Sequence, residues 1–81
     1  ALSLAPGAAV PEHTHPDAGE WLAVTAGIVE LSLEGVVSAA APGDVIFIPV
    51  GARHSARVPL DSGVAFSAVQ IYSPAGPEQR F

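Results

Sequence analysis

Four side chains in this 81-residue chain stand out for the chemistry they could do together: His13, His15, Glu20 and His54. His13 and His15 are separated by one residue, and positions i and i+2 of a strand share a face, so the pair is expected to aim at one point from one strand. Glu20 follows Pro16-Asp17-Ala18-Gly19, which reads as a four-residue turn. The next strand would fold back beside the first and set Glu20 opposite the histidines. His54 comes about forty residues later, after a second glycine-containing turn at Pro49-Val50-Gly51. The expectation is that three imidazoles and one carboxylate converge from three strands.

Singly, these residues have ordinary explanations: a solvated loop histidine, an exposed acid. Jointly they make a metal-ligand set. Three neutral imidazoles and a carboxylate suit Mn, Fe, Co, Ni, Cu or Zn rather than Ca or Mg, which favour oxygen cages. A tetrahedral Zn would be saturated by four such ligands. A six-coordinate ion, Mn or Fe foremost, would keep two positions for water, substrate or O₂. The chain has no cysteine, so thiolate ligands and cysteine nucleophiles are excluded.

The elements that must carry these residues are strands. Eight glycines and eight prolines interrupt the chain at short intervals, and no long window shows a helical stripe. Val29, Leu31 and Leu33 alternate with Glu30, Ser32 and Glu34, a strand with one wet face. Glu34-Gly35 marks a hairpin, and Ala41-Pro42-Gly43-Asp44 and Asp61-Ser62-Gly63 mark turns. The apolar run Val45-Ile46-Phe47-Ile48 reads as a strand buried on both faces. Residues 64–72 read as a last strand, stopped by Ser73-Pro74-Ala75-Gly76-Pro77. Seven or eight short strands imply one all-β domain over residues 1–81, a small antiparallel β-barrel or jelly roll. Leu22 and Val24 share the parity of Glu20 and should point inward, with Trp21 and Ala23 outward. Phe66 and Tyr72 share parity on the last strand and, with Leu22 and Val24, are expected to line a substrate pocket. No second inward acid or base stands out.

Composition narrows the partners. Eight acids face three arginines and no lysine, for a net charge of −5, which disfavours nucleic acid and anionic membranes. No apolar stretch approaches the roughly 20 residues of a membrane span. The start, Ala1-Leu2-Ser3-Leu4-Ala5-Pro6, has no positive flank and reads as a trimmed or processed end. A small-molecule ligand or substrate and a cytoplasmic setting are the expectations.

The spacing also resembles a known family. Gly7, five residues, His13-Thr14-His15, four residues, Glu20, six residues, Gly27 is similar to the first cupin motif. Gly43, five residues, Pro49, one residue, Gly51, two residues, His54 resembles the second, and the 15 residues between Gly27 and Gly43 match the short spacer of small microbial cupins. Nine specified positions agree, and chance agreement is on the order of 10⁻¹⁰ to 10⁻¹¹ per starting point. Val58 stands where the second motif often has Asn. Only six residues precede Gly7, fewer than cupins generally carry, so the barrel is expected to lack an N-terminal strand or to be completed by a second chain. The resemblance implies the double-stranded β-helix fold, one divalent metal on His13, His15, Glu20 and His54, and a homodimer. Cupins include dioxygenases, isomerases, decarboxylases, polyketide-modifying proteins and non-catalytic binders, so the fold does not select the activity. A metal-dependent oxygenase on a small organic substrate leads, with a binding or sensory module, or a metal-dependent isomerase or polyketide cyclase, as alternatives.

Overall fold

The computed structural model describes residues 2–74, so Ala75, Gly76 and Pro77 of the expected stop lie outside the described residues. Eight strands follow one another: β1 (Leu2–Leu4), β2 (Ala9–His13), β3 (Ala18–Ala26), β4 (Val29–Leu33), β5 (Val36–Ala40), β6 (Val45–Ile48), β7 (His54–Arg57) and β8 (Phe66–Pro74). They form two four-stranded antiparallel sheets, ordered β1-β8-β3-β6 and β2-β7-β4-β5. The result is an all-β, jelly-roll-like sandwich rather than a closed barrel. The six residues before Gly7 supply one strand, β1, paired along β8. Among the described residues, no helix is long and apolar enough to cross a membrane.

Turn chemistry sets most of the boundaries. Glu34 and Gly35 both take positive φ, which suits the twist of the β4–β5 hairpin. Asp44 N–H donates to Ala41 O at 3.0 Å and closes the turn before β6. At the Gly27 turn a Cβ would lie 2.6 Å from the Ala65 carbonyl oxygen, so only glycine lets the β3–β4 connection pass this close to the start of β8. The expected turn near Asp61 closes between Pro59 and Ser62, and the last strand begins at Phe66 rather than 64.

The core lies between the two sheets and reaches the cavity described below. Phe66, Ile48, Val29 and Val58 are fully buried there, with Leu22, Val24, Ala40 and Ala68 packed among them. Val58 therefore puts a methyl-bearing side chain into the core where the family often has Asn. Its backbone is satisfied by Ala8 O and by the Gly7 N–H, both at 2.9 Å.

Two expectations are overturned. Val45–Ile48 is not buried on both faces: β6 is an edge strand, leaving Val45 62% and Phe47 42% exposed while Ile48 faces the core. An unbroken apolar run thus marks two apolar faces, of which only one is covered by this chain. Nor do β2 and β3 form a hairpin. β2 pairs with β7 and β3 with β6 and β8, so the connection after His13 crosses from one sheet to the other.

Candidate metal centre

His13 ends β2 and His54 opens β7, and the two are cross-strand partners in register. Their ring centroids lie 4.2 Å apart. The register of β2 shifts between Val10 and His13, a bulge at Pro11-Glu12. The extra residue reverses parity, so Val10 and His13 both face the interior although they are three positions apart. Proline suits such a bulge because it has no N–H to leave unpaired.

His15 is not on a strand, contrary to the expectation of a shared strand face. It lies in the β2–β3 connection, outside both strands. Its position comes from its backbone: Gly51 N–H donates to His15 O at 3.0 Å, tying it to the turn that leads into His54. Gly51 has φ +77°, the left-handed conformation that lets this turn form. His15 is thereby brought to 5.0 Å from His13 and 5.1 Å from His54, measured between ring centroids. One ring nitrogen of each histidine lies within 4.8 Å of the other two, so the cluster could hold a metal ion.

Glu20 comes from the opposite sheet. It is buried on β3, with Oε1 3.4 Å from His15 Nε2 and 3.8 Å from His54 Nε2. The four groups therefore meet across the sandwich, from two strands of one sheet, the connection between the sheets, and one strand of the other sheet.

Hydrogen bonds orient the set. His13 Nδ1–H donates to Pro11 O at 2.8 Å and His54 Nδ1–H to Ala52 O at 3.0 Å. With Nδ1 occupied in this way, each ring presents the Nε2 lone pair inward, the arrangement metal-bound histidines use. His54 Nε2 is buried and has no hydrogen-bond partner. A buried polar atom without a partner costs about 1–3 kcal/mol. A cation at the focus of the cluster removes that cost, so the residues present fit a metal.

Gln70, on β8, is a member of the site that motif spacing does not reveal. Its Nε2 donates to Glu20 Oε2 at 2.8 Å, leaving Oε1 for the histidine side, and lies 3.4 Å from Tyr72 Oη. The available signal was an isolated polar residue between Val69 and Ile71, with the parity of Phe66 and Tyr72.

The four side chains open on a cavity of about 120 Å³, walled by Leu2, Val10, Leu22, Leu31 and Ile48 and bordered by Gln70 and Tyr72. Of the residues expected to line a pocket, Leu22 and Tyr72 do so. Val24 and Phe66 do not: they are buried in the core and are not among the residues that wall the cavity. Six residues of strand separate Phe66 from Tyr72, about 20 Å, so shared parity cannot bring both to one small cavity. Tyr72 is half-exposed at the mouth, its ring edge-on to His15 at 5.4 Å.

Comparison with known proteins agrees with this architecture. Residues 2–69 match the family model described as the cupin domain. The chain is 35% identical over 82 residues to germin-like protein subfamily 3 member 1 of Arabidopsis thaliana, an alignment covering 94% of this chain and 38% of that protein. The chain thus spans less than two fifths of that relative's length. The cupin domain of Cnp3 from Schizosaccharomyces pombe superposes with a TM-score of 0.83 at 14% identity, covering 90% of this chain and 52% of that one. A predicted oxalate decarboxylase from Thermotoga maritima gives 0.80 at 22% identity, covering 90% and 62%. At these identities the structural likeness concerns the fold alone. With the family model spanning most of the described residues and both motifs seated in a two-sheet jelly roll, this chain belongs to the cupin family.

Proposed function

We propose that this domain holds one divalent transition metal, manganese or iron foremost, on His13, His15, His54 and Glu20, and acts as an oxygenase on a small organic molecule bearing an oxygen ligand. The observation that carries the metal site is the buried, unpartnered Nε2 of His54 beside a carboxylate and two further imidazoles. Such an ion, when bound, supplies Lewis-acid or one-electron chemistry at the positions these four ligands leave open.

The surrounding residues support the finer reading. With one carboxylate among the ligands, the loaded site has a net charge near +1, which favours an anionic or enolisable oxygen group. The aliphatic walls exclude water from that group and strengthen its attraction to the site. The cavity is well below the roughly 300–1,000 Å³ of drug-sized pockets. It admits a few non-hydrogen atoms, while the rest of a larger substrate extends past Tyr72. The Gln70 amide holds the Glu20 carboxylate in place, and Tyr72 Oη stands at the entrance as the hydroxyl nearest an incoming ligand. The cytoplasm is the proposed setting.

A second reading, a binding module without turnover, is favoured by one feature. Among the described residues around the cavity, no acid or base beyond the four ligand candidates adjoins it, and Gln70 and Tyr72 are the polar side chains that border it. The same feature weighs against an isomerase or polyketide cyclase, which must move a proton between carbon and oxygen.

Oxygen uptake separates the readings. Protein purified without an affinity tag, stripped and reloaded with Fe(II) or Mn(II), should consume O₂ with a small enol, diketone or phenol and yield a new species by mass spectrometry. Stabilisation by the same compounds, with neither uptake nor product, would replace the oxygenase with the binder.

A further inference from the structure

Glu34 breaks a local rule of turn chemistry. With Leu33 paired to Val36, Glu34 and Gly35 are the two loop residues of the β4–β5 hairpin, and their φ angles are +49° and +82°. Asn, Asp and Gly suit that conformation, and among the described residues Glu34 is the one non-glycine residue that adopts it. Its side chain serves a contact outside the turn. Arg53 N–H donates to Glu34 Oε2, across 19 positions of sequence, and Glu34 N–H donates to Arg53 O at 2.8 Å. The β4–β7 ladder ends at the pair Leu33–His54, and this exchange extends it by one pair, with a carboxylate in the place of a backbone carbonyl. The turn before it is closed by Gly51 N–H on His15 O and Ala52 N–H on Pro49 O, so Arg53 N–H is the next donor in line, and Glu34 takes it.

We propose that Glu34 is a positioning residue for the metal centre, acting on His54 through the peptide group between Ala52 and Arg53. This rests on the metal site proposed for His13, His15, His54 and Glu20. The N–H of that peptide belongs to Arg53 and goes to Glu34 Oε2. Its C=O belongs to Ala52 and accepts the His54 Nδ1–H at 3.0 Å. A trans peptide is planar, with N–H and C=O pointing in opposite directions, so fixing one end fixes the other. A chain of two hydrogen bonds therefore runs from an exposed carboxylate at the hairpin to a buried ring, whose unpartnered Nε2 lies 3.8 Å from Glu20 Oε1. Holding Nδ1–H on a carbonyl keeps the lone pair on Nε2, where a metal needs it. The carboxylate also polarises the peptide and makes the Ala52 oxygen a stronger acceptor. His13 is oriented from elsewhere, by the Pro11 carbonyl at the β2 bulge, so it provides an internal control. A residue needed only for the turn would be asparagine or glycine. The cost of placing glutamate at positive φ is offset by what its longer side chain reaches.

Glu34→Asn separates the turn from the positioning role. Asparagine before glycine is the favoured pair for such a turn, but its shorter side chain withdraws from Arg53 N–H. The thermal transition of the metal-free variant should stay the same or rise. Its Mn(II) affinity, measured by competition with a chelator, should nevertheless fall about tenfold, the lower end of the range for partners that orient a ligand. Nitrogen chemical shifts of the imidazoles in metal-free protein should show His54 losing its single Nδ1–H tautomer while His13 keeps its own. Glu34→Gln, which retains an acceptor oxygen at the same reach, should keep most of the affinity and the His54 tautomer. Mn(II) affinity in Glu34→Asn equal to that of the unaltered protein, an unchanged His54 tautomer, a Glu34→Gln variant as weak as Glu34→Asn, or a metal-free thermal transition that drops along with the affinity would each overturn the proposal. An unaltered protein that binds no Mn(II) would instead overturn the metal centre, and the role of Glu34 with it.

Discussion

The two sheets divide the work unequally. The β2-β7-β4-β5 sheet supplies His13 and His54 and turns an ordinary wet face outward, where Arg57 Nη2 donates to Glu30 Oε1 at 2.8 Å beside Ser32 and Ser55. The β1-β8-β3-β6 sheet reverses the pattern at its site end. Its polar residues Glu20 and Gln70 face inward, and its apolar Trp21, Val69 and Ile71 face out. Alternation is present in both sheets. What differs is which parity meets the interior, and that inversion marks the places where a strand serves something other than its own core.

The comparison predicts an unequal response to damage. Removing both histidines of the first sheet, in His13→Ala/His54→Ala, should abolish binding of the single metal ion per chain, whereas Glu20→Gln should weaken it and leave the fold intact because the imidazoles still bind. Elemental analysis after dialysis checks this, and full occupancy in the double variant would dissolve the site. Because imidazole must be neutral to act as a ligand, metal binding by the unaltered protein should also weaken as the pH is lowered. Retention at pH 4.5 equal to that at pH 7.5 would contradict a three-histidine site.

A smaller effect belongs to the second sheet. Gln70→Leu removes the donor to Glu20 Oε2 while keeping most of the side-chain volume, and should lower metal affinity by about tenfold, at the mild end of the range for residues that orient a ligand. Competition with a chelator measures it, and the thermal transition of the metal-free protein separates loss of orientation from loss of packing. An affinity equal to that of the unaltered protein would show that the carboxylate is held without Gln70. The least effect is expected on the outer face of the first sheet: Arg57 and Glu30 form their pair in water, with side chains 65% and 42% exposed, so Arg57→Ala should change stability by less than about 1 kcal/mol in a denaturant titration. A larger loss would mean that this face is covered in solution and that the contrast between the sheets has been misdrawn.

Much of the site was legible because its signals are short-range. The spacing of His13, Glu20 and His54 and the turn chemistry of Glu34-Gly35 and Ala41-Pro42-Gly43-Asp44 are visible over a few residues. So is the inward parity of Leu22. Parity failed wherever a bulge or a connection intervened. His13 faces in because the bulge at Pro11-Glu12 shifts β2, and His15 joins it from a loop through the Gly51 hydrogen bond. Val24 and Phe66 have the parity expected of them, but parity says which side of a sheet a residue takes and nothing of how far along the sandwich it lies. Gln70 escaped notice because its role depends on Glu20, fifty residues earlier in the chain.

By itself, then, the sequence determined that the chain is all-β, where its turns fall, and which residues carry the family's metal motif, because backbone preference and side-chain alternation act locally. Tertiary structure alone decided that β2 and β3 lie in opposite sheets, that Glu20 meets the histidines across the interior, that Val45–Ile48 is an edge, and that one sheet keeps an apolar face uncovered. Those outcomes depend on which strands pair. Strand pairing is settled by the joint burial of residues far apart in the chain, a quantity no local window contains.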